Sequence, residues 1–116
     1  MATVEDVRRV AASLPRSYEA IVRDRLKFRV GRIVYLAFSR DETILGFAYP
    51  KDERDALVAA EPHKFLPPER VDERYHWVQV RMDAIDVAEA REIVIESWRM
   101  VVPKGVATAH LGPRDP

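Results

Sequence analysis

The sequence has 116 residues, with 19 basic and 19 acidic side chains and no cysteine, so its formal net charge is zero. This length predicts one domain with its own core, and the missing cysteines exclude disulfides, thiolate zinc sites and cysteine nucleophiles. No apolar run approaches the roughly 20 residues of a membrane span, and no signal peptide precedes the first elements, so we expect a cytoplasmic protein with no membrane partner.

The N-terminal region predicts a short helix. Thr3 caps it together with Asp6 three residues later, the apolar residues that follow fall on one helical face, and Pro15 ends it. The next stretch, 17–24, alternates only weakly between apolar and charged side chains, which fits either a strand or a loop.

The clearest strand is segment 26–30. Its period of two puts three apolar side chains on one face and the cations Lys27 and Arg29 on the other. Gly31 and Arg32 then form a two-residue hairpin turn, with glycine in the first position as a type II′ turn requires.

Two further strands, 33–38 and 44–49, are joined by a polar turn. The first is apolar on both faces, which is typical of a central strand. Because the connections between these successive strands are short, the segment predicts an antiparallel meander.

A second helix follows Pro50. We expect Asp52 to cap it, Ala56, Leu57 and Ala60 to face inward, and Pro62 to close it.

A later strand is predicted over 75–82, after an extended loop at Pro67-Pro68. It alternates, with Tyr75 and Trp77 on one face and His76 on the other. The cluster of Tyr75, His76 and Trp77 fits either the core of the sheet or a surface on which a base or ligand stacks.

The longest helix is predicted after Asp86, which forms a capping pair with Glu89, and Pro103 stops it. Its predicted inward stripe is Val87, Ala90, Val94, Trp98 and Val101. We expect one domain over 1–104 and a C-terminal tail over 105–116. The fold class is therefore α+β: an antiparallel sheet, made of a meander of three to four strands plus a later strand, packed against two or three helices.

The sequence contains no recognisable catalytic or cofactor-binding motif. Its three histidines are far apart, no serine lies in a Gly-x-Ser-x-Gly turn, and four glycines form no phosphate-binding loop. We therefore predict a protein that is not an enzyme and that needs neither a cofactor nor a metal.

Several segments, in order, resemble the MmcQ/YjbR family of small bacterial proteins. They are Phe28-Arg29-Val30-Gly31 with Ile33-Val34-Tyr35, then Asp52-Glu53-Arg54-Asp55-Ala56-Leu57, then His76-Trp77-Val78, and finally Ser97-Trp98-Arg99 with Val102-Pro103-Lys104. The resemblance covers nearly the whole chain. It implies an α+β fold related to the frataxin-like CyaY fold, and DNA binding by a double-wing arrangement of hairpins, but no catalytic residues.

In this sequence, the hairpin that would contact DNA is the basic one formed by segments 26–30 and 33–38. Residues 1–50 hold nine Lys or Arg against six Asp or Glu, and most of the excess lies between Arg16 and Arg40. The residues predicted to contact DNA phosphates are Arg23, Arg25, Lys27, Arg29, Arg32 and Lys104. The same charges also fit a solvated strand face of mixed sign, and Lys104 also fits a cation that neutralises the end of the long helix.

Two other functions remain open at this point. A protein-interaction domain would use a sheet face or the loop Phe65-Leu66-Pro67-Pro68 as an apolar contact surface. A small-ligand protein would need a pocket, for instance one formed by Tyr35, Tyr49, His76 and Arg81. The partners to consider are thus DNA, another protein or a small ligand, and the sequence does not fix the oligomeric state.

Overall fold

The computed structural model describes residues 1–112, which form an antiparallel sheet of six strands and four α-helices. The strands lie side by side in the order β1-β2-β3-β4-β6-β5. In chain order the elements are α1 (Val4–Ala12), β1 (Ser17–Val22), β2 (Arg25–Val30), β3 (Ile33–Phe38), β4 (Ile44–Ala48), α2 (Lys51–Ala60), β5 (Phe65–Leu66), β6 (Trp77–Arg81), α3 (Val87–Arg99) and α4 (Lys104–Leu111). The predicted α+β class, the meander and the later strand are confirmed.

Local capping explains where two helices begin. Thr3 and Asp6 form the predicted capping box of α1, and Asp86 accepts a hydrogen bond from the backbone N–H of Glu89 at 2.8 Å to start α3. The predicted cap at Asp52 is wrong. Helix α2 begins at Lys51 with Pro50 in the N-cap position, and the N-cap residue makes no side-chain hydrogen bond to the helix.

The inward face of α2 also differs from the prediction. Ala56 and Ala60 are exposed, whereas Leu57 and Val58 are half-buried and pack on the core. No residue of this helix is fully buried. It therefore lies at the margin of the core.

The hairpin β2–β3 follows the predicted alternation. Leu26, Phe28 and Val30 are buried, and Val30 pairs with Ile33 across the predicted two-residue turn, where Gly31 has φ 61°. A bulge interrupts the pairing: Phe28 faces Leu36 and the next pair skips one residue of β3.

The core lies between one face of the sheet and helices α1 and α3. Trp98 of α3 is fully buried and donates a hydrogen bond from Nε1 to the carbonyl oxygen of Pro15 at 2.9 Å. The buried hydroxyl of Ser97 donates to the carbonyl of Ala48 at 3.0 Å. The predicted stripe is correct for Ala90, Val94 and Trp98, but Val87 is exposed because it occupies the first turn.

The C-terminal segment differs from the predicted tail. Lys104–Leu111 is the helix α4, in which Ala107 is buried and the ring of His110 lies 5.8 Å from that of Trp98. A few small or apolar side chains suffice to dock this single short helix, so its sequence carries little hydrophobic signal. Residues 113–116 of the predicted tail lie outside the described residues.

Candidate nucleic-acid interface

A row of three cations lies along the outer face of β2, the face turned away from α1 and α3. Arg25, Lys27 and Arg29 alternate with the buried residues of the strand. Successive members are about 7 Å apart along the strand because each residue rises about 3.4 Å. Arg23 and Arg32, both exposed, occupy the turns at the two ends of β2. The structure thus brings five of the six predicted residues into one strand and its turns.

Among the described residues, the cations of this row have no acidic ion-pair partner. Within residues 1–112 the ion pairs involve the basic residues Arg8, Lys64 and Arg99, none of which is on β2. The Nε atom of Arg29 is buried and has no hydrogen-bond partner. The row is therefore a patch of positive charge without a direct ion pair among the described residues, and Asp72 opposes it only from a distance.

The pKa of Lys27 reflects the same arrangement. Burial lowers the pKa of this half-buried amine below its usual 10.5, and the neighbouring Arg25 and Arg29 lower it further, while Asp72 opposes them. A bound anion near this amine would relieve the repulsion among the three cations.

Arg25 has one structural contact in addition. Its Nε donates to the carbonyl oxygen of Phe38 at 3.0 Å, which ties β2 to the end of β3. The turn before it has positive φ at both Arg23 (52°) and Asp24 (66°), as a type I′ hairpin turn requires. No glycine marks this turn, so the sequence did not indicate it.

Lys104 is separate from the row. It is exposed in the first turn of α4, and among the described contacts none connects it with β2. A cation there lies at the positive end of the helix dipole of α4, so that helix does not stabilise its charge.

A groove of about 550 Å³ opens beside the cationic row on the outer face of the sheet. Arg25 and Lys27 lie on one wall, and the segment 69–77 forms the other. Its floor consists of the small residues Ala37 and Ala48. Small side chains at these positions leave the space that the groove occupies.

The aromatic cluster at 75–77 lines this groove instead of the core. Tyr75 and His76 are exposed, and Trp77 is half-buried with its indole against the backbone of Gly46. A guanidinium, that of Arg74, lies 4.9 Å from the centroid of the Tyr75 ring and donates to its hydroxyl at 2.8 Å. The core interpretation of this cluster is therefore wrong for Tyr75 and His76, and Trp77 is only half-buried.

Arg54 holds this wall in place, a role that no pattern in the sequence indicates. Its Nη1 donates to the carbonyl oxygens of Tyr75 (3.1 Å) and Trp77 (3.2 Å), and its Nη2 donates to that of Glu73 (3.0 Å). The backbone N–H of Lys51 donates to Nδ1 of His76 at 2.9 Å. The first turn of α2 therefore fixes the backbone that carries Tyr75 and Trp77.

The ligand pocket predicted from four residues does not form. Tyr35 is fully buried on the helix side, where its hydroxyl bonds to Ser17 and burial raises its pKa. Of the four, His76 lines the large groove, whereas Arg81 and Tyr49 line two other pockets. Alternation along a strand cannot show which strands are neighbours, so these residues were grouped wrongly.

The loop predicted as an apolar contact surface is also largely covered. Phe65 and Pro68 are buried, Leu66 is half-buried in β5, and only Pro67 is exposed. Strand β5 was not predicted, because two residues are too few to show a periodic pattern. Within residues 1–112, moreover, no helix is both long and apolar enough to cross a membrane.

Comparison with known proteins places this fold in a family. The YjbR family model matches residues 12–100. Uncharacterized proteins of Mycobacterium tuberculosis and Mycobacterium bovis are 32% identical over 96% of this chain and 97% of their own length. A crystal structure of a Deinococcus radiodurans protein with a DUF419 domain superposes with a TM-score of 0.77 at 27% identity, covering 95% of this chain and 86% of that one. By sequence and by fold, the chain belongs to the YjbR family.

Proposed function

We propose that this protein is a non-catalytic, cytoplasmic DNA-binding protein that contacts the phosphate backbone through the outer face of β2 and its two turns. The observation that carries the proposal is the row of Arg25, Lys27 and Arg29, which has no acidic ion-pair partner within residues 1–112. Basic side chains of this kind supply most of the sequence-independent affinity for DNA.

Because the net charge of the chain is zero, the attraction to DNA comes from the surface around β2 and not from the protein as a whole. Because acidic residues elsewhere repel DNA, binding depends on the orientation in which β2 faces the phosphates. Five contacts, from Arg23 to Arg32, would give a slope of log K against log salt of about −4.5 on duplex DNA. Lys104 is far from this row in the chain and is not counted among the five.

The test is a salt titration of short labelled DNA with the wild type and two matched triple variants. The first removes Lys27, Arg29 and Arg32 by alanine substitution. Since each lost contact removes about 0.9 from the slope, we expect a slope of about −1.8 and a roughly 500-fold weaker affinity at about 0.1 M salt.

The control variant removes three exposed cations outside β2: Arg9, Lys51 and Arg91. It changes the net charge by the same amount, so we expect it to keep the wild-type slope. An equal loss in both variants would mean that total charge, not the β2 row, governs binding. Absence of binding by the wild type at about 50 mM salt, where phosphate contacts are strongest, would refute the proposal.

A further inference from the structure

The groove beside the cationic row has an apolar rim. Among residues 1–112, eight large apolar side chains are exposed, and four of them line this groove: Ile33, Val71, Tyr75 and Met100. The other four lie elsewhere on the surface. This concentration of exposed apolar area at a concave site is typical of a surface that binds a ligand.

Charge within the groove is divided between its walls. Arg25 and Lys27 lie on the β2 side, whereas Glu69 and Asp72 lie on the opposite side. The two carboxylates would repel a phosphate placed inside the groove. An anion is therefore favoured on the β2 side, and the part of the ligand that enters beside Tyr75 should be neutral.

A nucleotide within a strand of DNA has both parts: a neutral planar base and an anionic phosphate. In a duplex the face of each base is covered by its neighbours in the stack, so an aromatic side chain cannot reach it unless the base is extruded. In a single strand the base is free to stack on an aromatic ring. The volume of the groove, about 550 Å³, is within the range of pockets that hold small organic groups.

From this combination we infer that the groove receives an unpaired base, stacked beside Tyr75 and Trp77, while the adjoining phosphates lie on Arg25, Lys27 and Arg29. The protein then prefers single-stranded over duplex DNA. This inference rests on the proposed function, because it uses the same cationic row.

The experiment compares a labelled single-stranded oligonucleotide with the same sequence annealed to its complement, at equal salt concentration. Wild type is expected to bind the single strand more tightly. Tyr75→Ala should weaken single-strand binding by about 5- to 150-fold, the effect of losing one base–aromatic stack, and should leave duplex binding unchanged. Tyr75→Phe keeps the ring and should bind like wild type.

Tryptophan emission gives a second readout that needs no variant. Trp77 lines the groove and is half-buried, whereas Trp98 is fully buried in the core. A single strand should quench the emission of Trp77 and leave that of Trp98 unchanged, which makes the quenching partial.

The outcomes separate this inference from the proposed function. Salt-dependent binding of both DNA forms with equal affinity, without quenching and without an effect of Tyr75→Ala, would overturn the groove as a base site and leave phosphate binding by β2 intact. Absence of salt-dependent binding to either form would overturn the proposed function itself.

Discussion

Replacing Gly46 with alanine tests the packing on which the groove depends. Gly46 lies in β4, and the indole of Trp77 covers its backbone. A Cβ atom at this position would lie 2.7 Å from both Cζ2 and Nε1 of that ring. Carbon atoms in favourable contact are about 3.5 to 4.0 Å apart, so the ring must move by about 1 Å.

The loss of unfolding free energy depends on where the indole of Trp77 can move. Trp77 is half-buried, and the backbone beside it is fixed by Arg54. Overpacking of this kind typically costs about 1 to 3 kcal/mol. Since the indole can yield only toward the groove, we expect Gly46→Ala to lower the free energy of unfolding by about 2 kcal/mol and to make Trp77 more exposed.

The assay is urea unfolding monitored by circular dichroism, together with the tryptophan emission of the folded state. Gly105→Ala is the matched control because a Cβ there meets nothing within 4 Å and the residue lies in α4. Because Gly105 lies in the first turn of α4, alanine there should stabilise by no more than the roughly 0.5 kcal/mol lower limit for a helix interior. If Gly46→Ala were neutral or stabilising with unchanged emission, the close contact between the glycine and the indole would be refuted.

Four further substitutions have definite expected outcomes. Arg54→Lys should weaken single-strand binding and speed amide hydrogen exchange at 73–77, since one ammonium cannot replace a planar fork that bonds three carbonyls. Asp86→Ala should lower the unfolding free energy by about 1 kcal/mol through loss of a cap, whereas Asp52→Ala, which removes no capping bond, should change it by only a few tenths. Lys27→Met should raise the urea midpoint at pH 7 while weakening DNA binding. Folding lowers the pKa of Lys27 below 10.5, so the protonated amine destabilises the folded wild type at a pH below its folded-state pKa. As the pH rises toward 10.5 the wild-type amine loses its proton. The difference in unfolding free energy between Lys27→Met and wild type should therefore shrink.

The fold was predictable where capping residues or alternating apolar residues in the sequence coincide with the observed helix starts and buried faces. The alternation of Leu26, Phe28 and Val30 placed β2 and its two faces correctly, and the capping residues of α1 and α3 marked where these helices begin. Elements held mainly by tertiary contacts were missed, because β5 has two residues and α4 buries one alanine. The turn at Arg23 and Asp24 was missed for another reason: its left-handed backbone is typical of glycine or asparagine, which are absent there.

The candidate site was predictable only in part. Alternation alone put Lys27 and Arg29 on one strand face, and the structure adds Arg25 to the same row. The groove could not be predicted, because its second wall belongs to an irregular segment whose position depends on Arg54. Side chain to backbone hydrogen bonds of this kind join residues about twenty positions apart, and no periodicity in the sequence reports them.

These contacts also explain why the family resemblance informs on fold more than on function. Several segments that resemble the family supply side chains that fasten distant backbone: Arg54 fixes 73–77, Ser97 bonds to Ala48, and Trp98 bonds to Pro15. A chain that keeps these three side chains and their hydrogen bonds keeps the sheet and its helices, whatever the charge on the outer face of β2. We therefore expect a relative that retains them, but has neutral residues in place of Lys27 and its neighbours in the row, to share the fold and lack the affinity for DNA.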